Sequence, residues 1–182
     1  MGLVYVLNTG GAVARGLGFR LTNEGLEPLE GSLRQLAPDA DPAQVGFTPD
    51  GSALVVTERG TNSLAVFSVG KDGLLGDSAE TPSAGPTPYG FASAANGALV
   101  VTEAFGAQKG KAAASSYRLT GTAAKPVSRS VGNGRSEICW AVVSKDGRYA
   151  FTTNFADGAV SSWAIGDDGS LTLEDAVAET RT

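Results

Sequence analysis

Hydrophobic positions in this chain fall in short runs separated by turn-forming clusters. Val45, Gly46 and Phe47 lead into Pro49-Asp50-Gly51, and the run Leu54-Val55-Val56-Thr57 leaves that turn. Proline fixes φ, aspartate bonds its own backbone, and glycine accepts positive φ, so the cluster predicts a tight turn with a physical cause. A third run, Leu64-Ala65-Val66-Phe67, follows Gly60-Thr61-Asn62, and a fourth extended segment follows Lys71-Asp72-Gly73. The alternation from Leu64 to Val69 fits a half-buried strand. Helix competes poorly: Leu33 to Leu36 is too short, and Ala112-Ala113-Ala114 runs into Ser115-Ser116-Tyr117, which has third-strand register. The pattern predicts an all-β chain.

The four-strand unit repeats. Gly25, Gly73, Gly121 and Gly169, in the turn after the third strand, are spaced 48 residues apart. An aromatic closes the third strand each time, at Phe19, Phe67, Tyr117 and Trp163, and the second strand ends at Asn8, Glu58, Glu103 and Asn154. A period in this range, with four strands per unit, is the mark of a propeller blade. The expected fold is therefore a β-propeller fragment of about four four-stranded antiparallel blades, one partial domain, with blades at about 1–37, 38–85, 86–134 and 135–182. Leu3 to Leu7 matches a second strand, so the first blade is expected to lack its innermost strand. Its fourth strand is placed from Leu26 to about Leu36. The prolines of Pro82 to Pro88 exclude a central strand and mark a connector. The loop from Ala104 to Lys111 is the one clear insertion, and the chain is expected to end in a polar tail, Glu179-Thr180-Arg181-Thr182.

Composition narrows the chemistry. The net charge is −5 and the basic residues form no run, which argues against nucleic acid. Histidine is absent from the sequence, removing the commonest general base and metal ligand. The one cysteine, Cys139, excludes an intrachain disulfide, and no spacing matches a zinc, EF-hand or P-loop site. No metal or cofactor is expected. No apolar run reaches membrane-spanning length and no leader pattern is seen, so no membrane partner is expected, and a cytoplasmic setting is the default.

Asp50-Gly51 followed by Leu54-Val55-Val56-Thr57-Glu58 and Thr61-Asn62, and Gly147-Arg148-Tyr149-Ala150-Phe151-Thr152-Thr153-Asn154, resemble the YVTN-type repeats of the lactonase family. That family includes propeller-type 6-phosphogluconolactonases and carboxymuconate-lactonising enzymes. Thr102-Glu103-Ala104-Phe105-Gly106 and Cys139-Trp140 before Lys145-Asp146-Gly147 look especially like bacterial members. The resemblance implies a seven-bladed ring of which this chain is about half, and metal-free hydrolysis of a sugar or organic-acid lactone. A histidine, arginines and a glutamate at one mouth of the channel would act on the lactone. The chain departs from that pattern: where active members place Arg-His, it has Ala43-Gln44, Tyr89-Gly90 and Cys139-Trp140.

Propeller sites form at one mouth, from loops entering the innermost strands and loops between second and third strands. The candidates there are Glu103 and Arg59 as catalytic groups, and Gln44, Glu58, Tyr89, Arg135 and Trp140 as substrate-binding groups, with Glu137 beside them. A carboxylate can activate water, and arginine can hold an anion or an oxyanion. The competing reading is a non-catalytic binding scaffold, in which Glu58 and Glu103 bond turns, Trp140 packs between blades and Cys139 is a small buried group. The first and last blades each keep an apolar face, so self-association through those faces is also expected.

Overall fold

The structure is a computed structural model describing residues 2–10 and 13–180. Its strands form four antiparallel four-stranded sheets. The first contains β1 (Gly2–Asn8), β2 (Arg15–Thr22), β3 (Gly25–Pro28) and β4 (Arg34–Gln35), with β3 and β4 both pairing with β2. The second contains β5 (Pro42–Phe47), β6 (Ala53–Glu58), β7 (Ser63–Val69) and β8 (Leu75–Pro82) in consecutive order. The third contains β9 (Pro88–Ser93), β10 (Ala98–Glu103), β11 (Ala113–Thr120) and β12 (Ala123–Gly132). The fourth contains β13 (Ile138–Val143), β14 (Tyr149–Asn154), β15 (Ala159–Ile165) and β16 (Leu171–Thr180). Among the described residues there is no α-helix, and the insertion in the third sheet holds a 3-10 turn at Phe105–Ala107.

Two expectations are corrected. The fourth strand of the first sheet is broken into β3 and β4, because Leu29 and Ser32 fold inward between them. The Ser32 hydroxyl accepts the Gly18 amide at 3.0 Å, holding this reversal against β2. The C-terminal polar tail is strand as far as Thr180, where β16 ends; Arg181 and Thr182 lie outside the described residues.

The sheets meet face to face in chain order, and the period-2 alternation assigns the faces. Leu54 and Val56 point back to the first sheet, in a cluster with Tyr5, Leu36, Phe67 and Leu75. Ala53 and Val55 point forward, in a cluster with Phe91, Leu99, Val101 and Tyr117. Ala98 and Val100 repeat the forward arrangement against Ile138, Ala150, Trp163 and Leu171. These central strands are apolar on both faces because both faces are covered.

Polar bonds fix the seams. The innermost strands β5, β9 and β13 each carry a register irregularity near their start. A threonine of the second strand serves each one. The Thr57 hydroxyl accepts the Gln44 amide at 3.1 Å and donates to the Tyr89 carbonyl of the next sheet at 2.5 Å. Thr102 accepts the Gly90 amide at 2.9 Å and donates to the Cys139 carbonyl at 2.5 Å. Thr153 accepts the Trp140 amide at 3.1 Å. Where the third sheet's inner strand passes the fourth's, a Cβ on Gly90 would lie 2.5 Å from the Cys139 carbonyl oxygen, so only glycine permits that approach.

The far ends of the seams differ. Arg20 donates to the Asp72 carbonyl at 2.5 Å, clasping the first sheet to the second. Arg118, at the same register, donates to the Asp167 carbonyl at 2.9 Å, clasping the third to the fourth. Ser68 holds this register in the second sheet. There a cleft of about 400 Å³ remains, walled by Thr48, Asp50, Ser52, Asn96, Leu119 and Gly121 among others.

Candidate active site

The mouth is built by the connectors that precede the innermost strands. The residue just before each strand, Asp41, Thr87 or Glu137, has positive φ, at 41°, 58° and 53°. This conformation is uncommon for non-glycine residues, a real outlier for β-branched threonine, and costs roughly 1–3 kcal/mol each. A matching bond holds it in all three sheets. The carbonyl of Asp41 accepts the Arg59 amide at 3.2 Å, that of Thr87 the Ala104 amide at 2.9 Å, and that of Glu137 the Phe155 amide at 2.9 Å. Each strained residue is thereby bound to the residue that follows the second strand.

A pocket of about 540 Å³ opens here. Arg59 comes from the second sheet, Thr87 and Tyr89 from the third, and Glu137, Cys139, Trp140 and Phe155 from the fourth; the insertion adds Gly106 and Ala107. The Arg59 guanidinium is 2.7 Å from the Asp41 carboxylate and 5.2 Å from the centroid of the Tyr89 ring. Tyr89 meets Trp140 edge to face at 5.4 Å. Trp140 remains 50% exposed and Phe155 76% exposed, so the rim presents open aromatic surface. Burial and the neighbouring Glu137 raise the Cys139 thiol above its usual range, which keeps it protonated at neutral pH and a poor nucleophile.

The expected residues therefore divide. Arg59, Tyr89, Trp140 and Glu137 line one pocket. Gln44, Glu58, Glu103 and Arg135 do not. Gln44 clamps its neighbour: its amide nitrogen donates to the Phe91 carbonyl at 2.9 Å and its oxygen accepts the Phe91 amide at 2.9 Å. Arg135 belongs to the connector before β13, where its carbonyl accepts the Ala112 amide at 3.0 Å, and its Nε is buried without a partner.

Glu103 is fully buried. One carboxylate oxygen accepts the Gly85 amide at 2.9 Å and the Ser115 hydroxyl at 2.5 Å, and the other accepts the Ser130 hydroxyl. It ties the connector to the third and fourth strands of its own sheet and has no solvent path to act on water. Desolvation raises its pKa against the lowering effect of those donors. Glu58 is equally buried; one oxygen accepts from Thr61 at 2.7 Å and Ser63 at 3.2 Å, while Oε1 has no partner within hydrogen-bond distance. Burial also raises its pKa, and the Glu80 charge adds to that. Asn154, in the fourth sheet, bonds Asn133 of the connector at 2.9 Å and Ser161 at 2.9 Å. The position ending the second strand is a polar knot under the connector in each of these sheets.

Sequence reasoning missed Phe155, Thr87 and Asp41. The repeat register could have found the first, since Phe155 follows Asn154 as Arg59 follows Glu58. Among the described residues no cluster of acidic, cysteine or histidine groups could hold a metal, and no helix is long and apolar enough to cross a membrane.

Residues 26–104 match the sequence model of the family described as Lactonase, 7-bladed beta-propeller. The chain has the lactonase-family propeller fold. It superposes on a protein of unknown function from Desulfotomaculum acetoxidans with a TM-score of 0.76 at 13% identity, covering 94% of this chain and 51% of that one. A candidate 6-phosphogluconolactonase from Bacteroides fragilis gives 0.74 at 11% identity, covering 97% and 54%. The periplasmic gluconolactonase of Pseudomonas aeruginosa gives 0.64 at 20% identity, covering 94% and 53%. The chain thus spans about half the length of the solved structures it matches. No curated protein matches it in sequence.

Proposed function

We propose that the mouth pocket binds a sugar or organic-acid lactone and hydrolyses it without a metal. The observation that carries this is the meeting of Arg59, Glu137 and an aromatic wall in one pocket, held by strained backbone at Thr87 and Glu137. Strain of this kind clusters at functional sites. The family match and the gluconolactonase among the similar structures support the same reading.

In this reading Glu137 takes the role first expected of Glu103. Its carboxylate accepts a proton from water as the oxygen attacks the lactone carbonyl. Arg59, held by Asp41 and Tyr89, stabilises the oxyanion. The ring C–O bond then breaks, the alkoxide leaving group takes the proton back, and the product is the open hydroxy acid. Trp140 and Phe155 offer apolar faces to the lactone ring.

Hydrolysis of δ-gluconolactone followed at constant pH tests this. The native chain is expected to exceed the buffer rate. Glu137→Gln should lower kcat by roughly 10²–10⁴-fold, the usual contribution of a general base. Glu103→Gln should lower stability and leave kcat of the folded fraction near native. A native rate no faster than buffer, or an unimpaired Glu137→Gln, overturns the hydrolase reading. The exposed aromatic rim favours one alternative, a binding module for such rings; saturable lactone binding without turnover selects it.

A further inference from the structure

At the far end of the seam between the second and third sheets, the repeat departs from itself. Arg20, Ser68 and Arg118 pair with Leu3, Ala53 and Ala98 and hold one register position in the first, second and third sheets. Arg20 reaches across its seam to the Asp72 carbonyl at 2.5 Å. Arg118 reaches across its own to the Asp167 carbonyl at 2.9 Å, and also donates to the Asn96 carbonyl of its own sheet. The middle seam lacks both halves of this clasp. Ser68 brings no guanidinium, and the turn between β11 and β12 holds two residues where the turns after β7 and β15 hold five. The cleft of about 400 Å³ lies at this point. Each of the two sheets that wall it has its four strands, so the opening arises within the seam.

The wall has the chemistry that the missing side chain would use. The volume is within the roughly 300–1,000 Å³ of small-ligand pockets. Among the described residues, Asp50 is the one charged member of the wall, and Leu99 and Leu119 supply apolar surface. Arginine has the same two parts, an aliphatic stem and a charged head. Asp50, Asn96 and Asp146 each precede the glycine of the equivalent turn in their sheets. Asn96 is neutral and already receives Arg118 on its carbonyl, and Asp146 has Arg148 at 3.2 Å. Asp50 forms no ion pair among the described residues. Its Oδ1 accepts the Thr48 hydroxyl at 2.7 Å and the Ser52 amide at 3.1 Å, and the Ser52 hydroxyl lies 2.9 Å from each oxygen. These bonds, led by that of Thr48, hold its pKa below the ordinary 3.8, so it is ionised at neutral pH. Its Oδ2 keeps lone pairs for a further donor.

We propose that this cleft is a receptor for a guanidinium group carried in from outside the chain, by free arginine or by an arginine side chain of a partner protein. The group takes the place that Arg118 fills in the next seam. One N–H group donates to Asp50 Oδ2 and another to the Asp50 carbonyl, at the turn position where the Asn96 carbonyl receives Arg118. The stem lies on Leu99 and Leu119. The site is at the opposite end of the sheets from the mouth pocket, and it stands whether or not that pocket hydrolyses a lactone.

Titration of the full chain with N-acetyl-arginine amide, followed by NMR of the Ser52, Gly97 and Gly121 amides, tests the proposal. Saturable shifts at these three positions are expected. The citrulline counterpart, neutral and of similar shape, should bind at least about tenfold more weakly. Asp50→Asn should weaken binding of the arginine probe by a similar factor, since a charge-assisted hydrogen bond is lost. That variant keeps the turn, because asparagine already stands at this position in the third sheet. Ser68→Arg fills the cleft from within and should abolish binding. Free L-arginine separates the two sources: tighter binding than the capped amide assigns a small-molecule ligand, and equal or weaker binding assigns a side chain of a partner protein. Shifts that do not saturate, or that fall elsewhere, overturn the proposal. So does native affinity in Asp50→Asn or Ser68→Arg, or equal affinity for the arginine probe and either its citrulline or its lysine counterpart.

Discussion

The second and third sheets share a plan, yet their ends are finished differently. Both close the second strand on a buried glutamate. Around Glu103 the Gly85 amide and the Ser115 and Ser130 hydroxyls engage both oxygens, whereas Glu58 keeps an orphan Oε1 beside the Glu80 charge. Gly85 is part of the difference: a Cβ there would overlap the Glu103 carboxylate, so the connector can close over this residue only as glycine. After Glu58 comes Arg59, which enters the pocket with its guanidinium. After Glu103 comes Ala104, then the insertion that supplies the pocket's backbone wall. At the far end, Arg118 clasps the third sheet to the fourth, and Ser68 leaves the second sheet unclasped. A repeat therefore fixes where a polar group stands, and its neighbours decide whether that group is a strut, a half-satisfied charge or part of a pocket wall.

The largest expected effect is on the better-satisfied glutamate. Glu103→Ala leaves buried donors from Gly85, Ser115 and Ser130 without an acceptor and should lower the unfolding free energy by about 3 kcal/mol. Glu58→Ala loses fewer partners and relieves a buried charge, so about 1 kcal/mol is expected. Urea unfolding of both variants checks the ordering, and equal losses would erase the distinction between the two ends.

Acidity sharpens the comparison next. Burial raises both glutamates above the ordinary 4.5. A raised folded pKa gives stability that is fully present below 4.5 and is lost as pH rises through the folded value. Each group contributes at most about 1.4 kcal/mol per pH unit across that window. Asp50, Asp146 and Asp168 are lowered below 3.8 by hydrogen bonds within their turns, led by Thr48, Ser144 and Ser170, so their contribution disappears as pH falls through their folded values. Stability should therefore peak in mildly acid solution. Glu103→Gln and Glu58→Gln should each flatten the decline above the peak, as chemical denaturation at a series of pH values would reveal.

The smallest effect is at the cleft. Ser68→Arg supplies the side chain present at register in the first and third sheets and should raise stability by up to about 1 kcal/mol, the net worth of an ordinary hydrogen bond, because the exposed site loses part of the extra gain of a charged donor to solvent. A rise in the thermal midpoint is the expected result; destabilisation would show that this seam has no acceptor for a guanidinium.

Much of the fold was legible in the sequence because each sheet announces itself locally. The turn at Pro49-Asp50-Gly51 has counterparts at Ala95-Asn96-Gly97 and Lys145-Asp146-Gly147, and the glycine spacing and the aromatic at the end of the third strand survive in sheets of differing composition. The break between β3 and β4 was not legible, since Leu26, Leu29 and Leu33 read equally well as one strand. The mouth was legible in part. Arg59, Tyr89 and Trp140 came from register, but a glutamate ending a strand looks the same in sequence whether it faces a channel or is covered. For Glu103 the deciding partners lie eighteen residues before it and up to twenty-seven after it, on separate segments. Phe155 went unnoticed because a search for reactive groups passes over phenylalanine.

The threonine that receives the inner-strand amide has a broader consequence. Since Thr57, Thr102 and Thr153 satisfy the backbone at Gln44, Gly90 and Trp140 through their own hydroxyls, the side chain at that point is relieved of structural duty. One blade uses the socket for a stitch, another leaves it bare for close approach, and a third displays an indole to solvent. Such a socket can change its occupant while the scaffold stays as it is, giving the protein a cheap route to new specificity.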